Sequence, residues 1–376
     1  MSLRKNGNLE EHLGKFGRMA SETALNIFKN KKVFVTGHTG FKGGWLLGWL
    51  HLLGADVKGY ALIAESDKGI YHTINGDSIC KSIIADIRDE KRLTKEINEF
   101  KPDIVFHLAA QPLVRRSYLK PTETFEVNVL GTANLLNAIR SLEGNCVVVV
   151  ITTDKVYENY EWSYPYREVD TLGGYDPYSA SKACTEIVVN SFRQSFFNPN
   201  DFSEHGKSLA SVRAGNVIGG GDWSEDRIIP DIVRSLEADG VISVRNPDSI
   251  RPWQHVLDPL YGYLSLAAEL IKNPTKFSGA YNFGPLPNDF LPVSKLVDLS
   301  IKSWGSGEWN CPETIKQPHE ARVLKLDISK AMDLLNWLPA LNSAQAIDWT
   351  ISWYKKNLDD KMNYTFEQIK SYQSLQ

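Results

Sequence analysis

Between residues 31 and 215 the apolar positions alternate between short β-branched runs and helical spacings. The runs KKVFVT (31–36), DVKGYALI (56–63), CKSIIADI (80–87), PDIVFHLAA (102–110), CVVVVITT (146–153) and SLASVRA (208–214) predict six strands. Helical spacing predicts helices from Gly43 to Leu53 and over 88–100, 122–142 and 178–197. In the second of these, Leu93, Ile97 and Phe100 fall on one face. The run at 146–153 is apolar on both faces, as a central parallel strand is when helices cover both sides. This alternation predicts an α/β fold with a doubly wound parallel (Rossmann) sheet over 31–215.

Beyond residue 215 the rhythm breaks. GNVIGGGDW, RNPDSIRPWQHV and NFGPLPND are dense in Gly, Pro, Trp and Asp. They predict a smaller mixed α/β C-terminal lobe over 216–376, mainly concerned with substrate, with some segments returning to the sheet. The polar residues 1–30 read as an extension outside the main fold.

Composition narrows the function. A net charge of −3 argues against a nucleic-acid binder, which is normally basic. Cys80, Cys146, Cys184 and Cys311 are far apart and form no CxxC pair, so no metal site is expected. Their use fits a reduced, cytoplasmic compartment. The apolar stretch WLLGWLHLL (45–53) is far shorter than the ~20 residues of a spanning helix, so no membrane partner is expected.

The first strand runs into TGHTGFKGGW, where Gly37, Gly40 and Gly43 form GxxGxxG around Thr39, Phe41 and Lys42. Glycines in a turn between strand and helix allow a tight bend, close approach of a pyrophosphate and close helix packing. The expected ligand is NAD. An acidic residue normally ends the second strand of such a site, but Ala61 stands there, with Glu65 and Asp67 a few positions late.

Tyr178 and Lys182 in GGYDPYSASK lie four apart and share a helix face. Such pairs are common by chance; after a glycine-rich nucleotide turn they suggest a phenol base. A neighbouring ammonium and the positive nicotinamide of NAD⁺ both favour phenolate. Thr153, Asp154 and Lys155 end the fifth strand, where open α/β sheets hold their ligands. Asp154 and Lys155 add an acid and a base that simple alcohol oxidation does not need.

The segments VTGHTGFKGGWL, DIRD, FHLAAQPLVRRSY, TTDKVYEN, GGYDPYSASK, SVRAGNVIGGGDW, IRPWQHV, YNFGP and PHEARVLKLD run from Lys32 to at least Lys330. Together they resemble the extended short-chain dehydrogenase/reductases that act on nucleotide sugars, and more closely the CDP-glucose 4,6-dehydratase group. The dTDP-glucose dehydratases carry Asp-Glu where this chain has Asp154-Lys155. The resemblance implies a lyase in which Tyr178, aided by Thr153 and Lys182, takes the C4 hydroxyl proton as hydride leaves for NAD. It further implies that Lys155 removes the C5 hydrogen and Asp154 protonates the departing C6 hydroxyl.

Asp86, Ile87, Leu108, Ala109, Ala110, Gln111 and Asn128 match cofactor-cleft positions. Asn128 reads as a stabiliser of active-site geometry. Asn216, Arg227, Arg251, Asn282 and His319 are candidates for the sugar nucleotide. His107 reads as a core histidine, and Trp253 as a packing or stacking residue. The rival readings are a nucleotide-sugar 4-epimerase, a dehydratase of another nucleotide sugar and, least favoured, a non-catalytic NAD-binding regulator. A homodimer pairing helices 122–142 and 178–197 is the default assembly, with a tetramer as the alternative. The implied role is deoxysugar synthesis for lipopolysaccharide O-antigen or other surface polysaccharide.

Overall fold

Seven parallel strands build the central sheet of the computed structural model, which describes residues 25–312 and 323–376. They are β1 (Lys32–Thr36), β2 (Asp56–Ala61), β3 (Lys81–Ile84), β4 (Ile104–His107), β5 (Cys146–Ile151), β6 (Lys207–Ala214) and β7 (Gly279–Phe283). The spatial order is β7-β6-β5-β4-β1-β2-β3. Strand order therefore reverses between β1 and β4, and ligands of open α/β sheets bind at the carboxyl ends of strands flanking such a reversal. The two sheet faces are dry by alternation. Val33, Val35, Phe106, Val147 and Val149 pack into one core, and Phe34, Val105, Val148, Val150 and Leu209 into the other.

The main helices are α1 (Phe41–Leu52), α2 (Glu90–Phe100), α3 (Gly131–Arg140), α4 (Pro177–Ser195), α5 (Ile228–Glu237), α6 (Leu257–Lys272), α7 (Val293–Trp304), α8 (Ser343–Lys355) and α9 (Leu358–Gln373). The Asp89 carboxylate caps α2 at the Arg92 N–H, and Asp176 caps α4 at the Ser179 N–H with Pro177 in the first turn. Helix α1 is apolar almost all round and is buried from Gly43 to Leu50. Its outer cover comes from the far end of the chain: Trp49 meets Tyr372 edge-on, with ring centroids 5.7 Å apart.

Two differences from the sequence pattern stand out. The helix expected over 122–142 is interrupted by a π-helical turn at Glu126–Leu130, which carries Asn128. The extension expected through residue 30 joins the fold by residue 25, because Leu25 and Phe28 are buried; Phe28 stacks 6.4 Å from Phe106. The chain beyond 215 adds to the central sheet and to its helical cover. Its segment β7 pairs with β6, while α9 packs on α1. Short strand pairs brace the remainder: Val217–Ile218 with Gln254–His255, Ile250–Arg251 with Leu291–Pro292, and Ile242–Ser243 with Trp309–Asn310.

Candidate active site

At the carboxyl end of β1, Gly37 adopts φ +74°, and a Cβ there would stand 2.7 Å from the Ala109 nitrogen. A Cβ on Gly43 would stand 2.0 Å from the Gly37 carbonyl oxygen. Both glycines are thus required by the protein's own packing. Gly40 differs. It is the N-cap of α1 with no side-chain cap, and a Cβ there would meet only the Gly37 oxygen, at 3.4 Å. An uncapped helix N-terminus beside a glycine with free space fits a dinucleotide pyrophosphate.

The side chains around this turn divide into lining and bracing groups. Lys42 lines a cavity of about 350 Å³ together with Thr153, Asp154, Lys155 and Tyr178. Thr39 instead donates its hydroxyl to the Leu62 carbonyl at 2.8 Å, and Phe41 packs where Gly219 lacks a side chain. Asp86 follows β3 and grips the Arg88 guanidinium, which holds its carboxyl below the usual range. No carboxylate ends β2: Leu62 and Ile63 stand exposed there.

For several expected cofactor contacts the side chains are spent on the protein itself. Ile87 is a core residue packed against Gly131. Gln111 donates to the Leu113 carbonyl and Thr124 hydroxyl and accepts from the Leu113 N–H. Asn128 accepts from the Gln111 N–H at 2.8 Å and donates to the Gln111 carbonyl and Ser181 hydroxyl. The π-helical turn therefore ties the loop after β4 to α4. Leu108 and Ala109 follow β4 directly, their N–H groups bonded to Thr36 at 3.1 and 3.2 Å; Ala110 comes next in the loop. His107 is buried between the Thr36 and Thr132 hydroxyls, and burial lowers its pKa to about 3.

Beyond β5 the chain makes a short 3₁₀ turn at Asp154–Val156. Thr153 donates to Asp154 Oδ1 at 2.9 Å. Burial raises the Asp154 pKa, opposed by the nearby Lys155, Thr153, Arg251 and Lys42. Tyr178 opens α4, its N–H bonded to Ser117 Oγ at 3.1 Å. Burial pushes its phenol up to about 12, while a hydrogen bond with the Thr153 side chain pulls it down. Lys182 lines neither of the two main cavities. Its Nζ donates to the Ile151 carbonyl at 3.2 Å, and burial lowers its pKa to about 8.

Asn216, Arg227 and Arg251 line the same cavity as Tyr178. Asn216, Arg251, Asp154 and Lys155 also border an adjoining cavity of about 370 Å³. Arg227 is held by Asp222 at 2.9 Å. Trp253 forms part of the first cavity's wall, its indole N–H bonded to the Leu291 carbonyl. Asn282 is not brought to the site. It is wholly buried, accepting from the Tyr157 hydroxyl and donating to the Tyr166 and Asp327 carbonyls, so its expected substrate contact is replaced by a bracing one. His319 lies outside the described residues. Glu186, Thr152 and Arg213 were missed by sequence reasoning, although Glu186 continues the four-residue spacing of Tyr178 and Lys182.

Fold and site together define an enzyme of the α/β class that modifies nucleotide sugars. Residues 34–276 match the family model described as GDP-mannose 4,6 dehydratase, and the chain belongs to that family. It is 48% identical over 351 residues to CDP-glucose 4,6-dehydratase of Salmonella typhimurium, covering 93% of this chain and 98% of that protein. It is 27% identical to CDP-paratose 2-epimerase of Salmonella typhi, over 85% of this chain and 99% of that one. Among solved structures, dTDP-glucose 4,6-dehydratase from Streptomyces venezuelae with NAD and TYD bound shares the fold. Its TM-score is 0.73 at 24% identity, covering 89% of this chain and 99% of that one.

Proposed function

We propose that the protein is an NAD-dependent lyase that converts CDP-D-glucose to CDP-4-keto-6-deoxy-D-glucose and water. The observation that carries this reading is a single cavity lined by Thr153, Asp154, Lys155 and Tyr178, in a chain 48% identical to a CDP-glucose 4,6-dehydratase.

The turn from Gly37 to Gly43 would hold the NAD pyrophosphate at the start of α1, with Asp86 and the backbone of Leu108–Gln111 along the cleft. When bound, NAD supplies a hydride acceptor that gives the hydride back within the same turnover. Tyr178 Oη takes the C4 hydroxyl proton, with Thr153 holding the sugar oxygen. A C4 ketone acidifies the C5 hydrogen, and Lys155 removes it. Asp154, whose pKa burial raises, protonates the C6 hydroxyl, which leaves as water. Arg227 and Arg251 offer planar guanidinium donors to the substrate diphosphate, beside the Asn216 amide.

A panel of CDP-, dTDP-, UDP- and GDP-sugars with products identified by mass tests the reading. Loss of one water from CDP-glucose is expected. A CDP-hexose of unchanged mass would instead indicate an epimerase, and turnover of another nucleotide sugar would move the specificity.

No helix among the described residues is long and apolar enough to cross a membrane. We infer a cytoplasmic homodimer whose product feeds deoxysugar synthesis for surface polysaccharide. Leu130 and Ile187, both more than half exposed, stand on the helical segments expected to pair. Light scattering of Ile187→Lys against the parent tests the dimer: a smaller species supports it, and an unchanged mass counts against that pairing.

A further inference from the structure

Glu186 lies one helical turn beyond Lys182 and is buried, 3% exposed. Its carboxylate accepts from Thr152 Oγ1 at 2.5 Å, Ser211 Oγ at 2.7 Å and Arg213 Nη2 at 2.9 Å. These partners come from the end of β5 and from β6, so one side chain on α4 clamps both strands beside the site. The pair continues to Tyr157, which borders the adjoining cavity. Arg213 Nη1 donates to the Tyr157 hydroxyl at 2.8 Å, and that hydroxyl donates to Asn282 Oδ1 at 2.7 Å. A buried ion pair exchangeable for apolar packing is weak evidence of stabilisation. Here the geometry gives the carboxylate a second task, because Thr152 directly precedes Thr153 and Lys182 stands one turn away.

We propose that Glu186 is a positioning residue that fixes the end of β5 through Thr152 and holds Lys182 as an ammonium behind Tyr178. The consequence for catalysis rests on the proposed roles of Thr153, Tyr178 and Lys182; the electrostatic link between Glu186 and Lys182 does not. Burial acts against the Lys182 charge, and Glu186 acts for it. The other groups acting on Lys182 are the Ile151 carbonyl at the end of β5, Lys42 at the start of α1 and neutral His107 at the end of β4. None of these is an anion at neutral pH. Among the described residues, the Glu186 carboxylate is the negative charge that acts on Lys182.

The test is an NMR titration of ¹³C,¹⁵N-lysine-labelled full chain, with the Lys182 signal assigned by Lys182→Arg. The parent should titrate at about 8. Glu186→Gln should lower that midpoint by about one unit, while Glu186→Asp, which keeps the charge, should restore it. Arg213→Gln frees the carboxylate from its guanidinium and should raise the midpoint; it also serves if Glu186→Gln does not fold. A purely structural role would lower the melting temperature of these variants and leave the lysine midpoint where it was, which would overturn the proposal. Because the titration needs neither substrate nor cofactor, its outcome stands whether or not CDP-glucose is turned over. With whichever nucleotide sugar is turned over, the alkaline limb of kcat should fall at lower pH in Glu186→Gln.

Discussion

Thr153 Oγ1 donates to Asp154 Oδ1 at 2.9 Å, while Asp154 Oδ2 is buried without a hydrogen-bond partner among the described residues. A half-satisfied buried carboxyl resists ionisation, which suits a proton donor and costs stability once it ionises. The folded-state pKa of Asp154 is raised above its unfolded value, so stability from this group is present at low pH and is lost as pH rises through the folded pKa. Asp154→Asn should therefore lower turnover by about 10²–10⁴-fold and melt higher than the parent at pH 8, with the gap narrowing toward pH 4. Thermal melts across pH check this; a variant less stable than the parent throughout would count against it.

Tyr178→Phe removes the proposed base and leaves the ring. Thr153 keeps its bond to Asp154. Turnover should fall by about 10²–10⁴-fold, with a melting temperature within a few degrees of the parent. Initial rates beside a calorimetric melt decide it, and unchanged turnover would remove the phenol from the chemistry.

Asp258 on α6 ties the C-terminal helix to the body of the protein. Its Oδ1 accepts from the Ala340 N–H and the Tyr372 hydroxyl, each at 2.7 Å, and its Oδ2 has no partner among the described residues. Burial raises its pKa to about 7. Its contribution is complete below the ordinary carboxylate range and is lost as pH climbs toward 7, at about 1.4 kcal/mol per pH unit in that window. Denaturant melts at pH 5, 6 and 7 should show this decline, and Asp258→Asn should flatten it. An equal slope in both proteins would contradict the assignment.

Three buried histidines act in the opposite direction. Burial lowers His38 to about 4 and His107 and His255 to about 3. Their neutral forms support the fold above pH 6.5, and that support is lost as pH falls toward the folded values. Unfolding near pH 5 should thus take up roughly three protons at these sites. Unfolding enthalpies in buffers of different ionisation heat measure the uptake; a value below one would show that the imidazoles are already charged in the fold.

The strands and the helix faces were legible because the pattern of one or two buried faces is local. That Thr153, Asp154, Lys155 and Tyr178 share a cavity could be anticipated for the same reason: strand-end position and helix spacing are local too. Contacts made across the chain were not. Asn282 reads as a candidate for the sugar nucleotide, yet Tyr157, Tyr166 and Asp327 enclose it from three separate segments. Gln111 resembles a cleft residue until its partners Leu113, Thr124 and Asn128 are seen. The π-helical turn at Glu126–Leu130 has no signature in apolar spacing, because its extra residue serves Asn128 and its tertiary partners. Glu186 had a spacing signal but no visible reason to be buried before Arg213 was brought beside it.

Running CDP-glucose with the enzyme in D₂O and weighing the product tests most directly whether this cavity expels water from a hexose. Removal of the C5 hydrogen by a base, loss of the C6 hydroxyl and return of a solvent proton to C5 require a product lighter by one water that carries one deuterium at C5. A product of unchanged mass with no deuterium on carbon would mean that Asp154 and Lys155 perform no elimination.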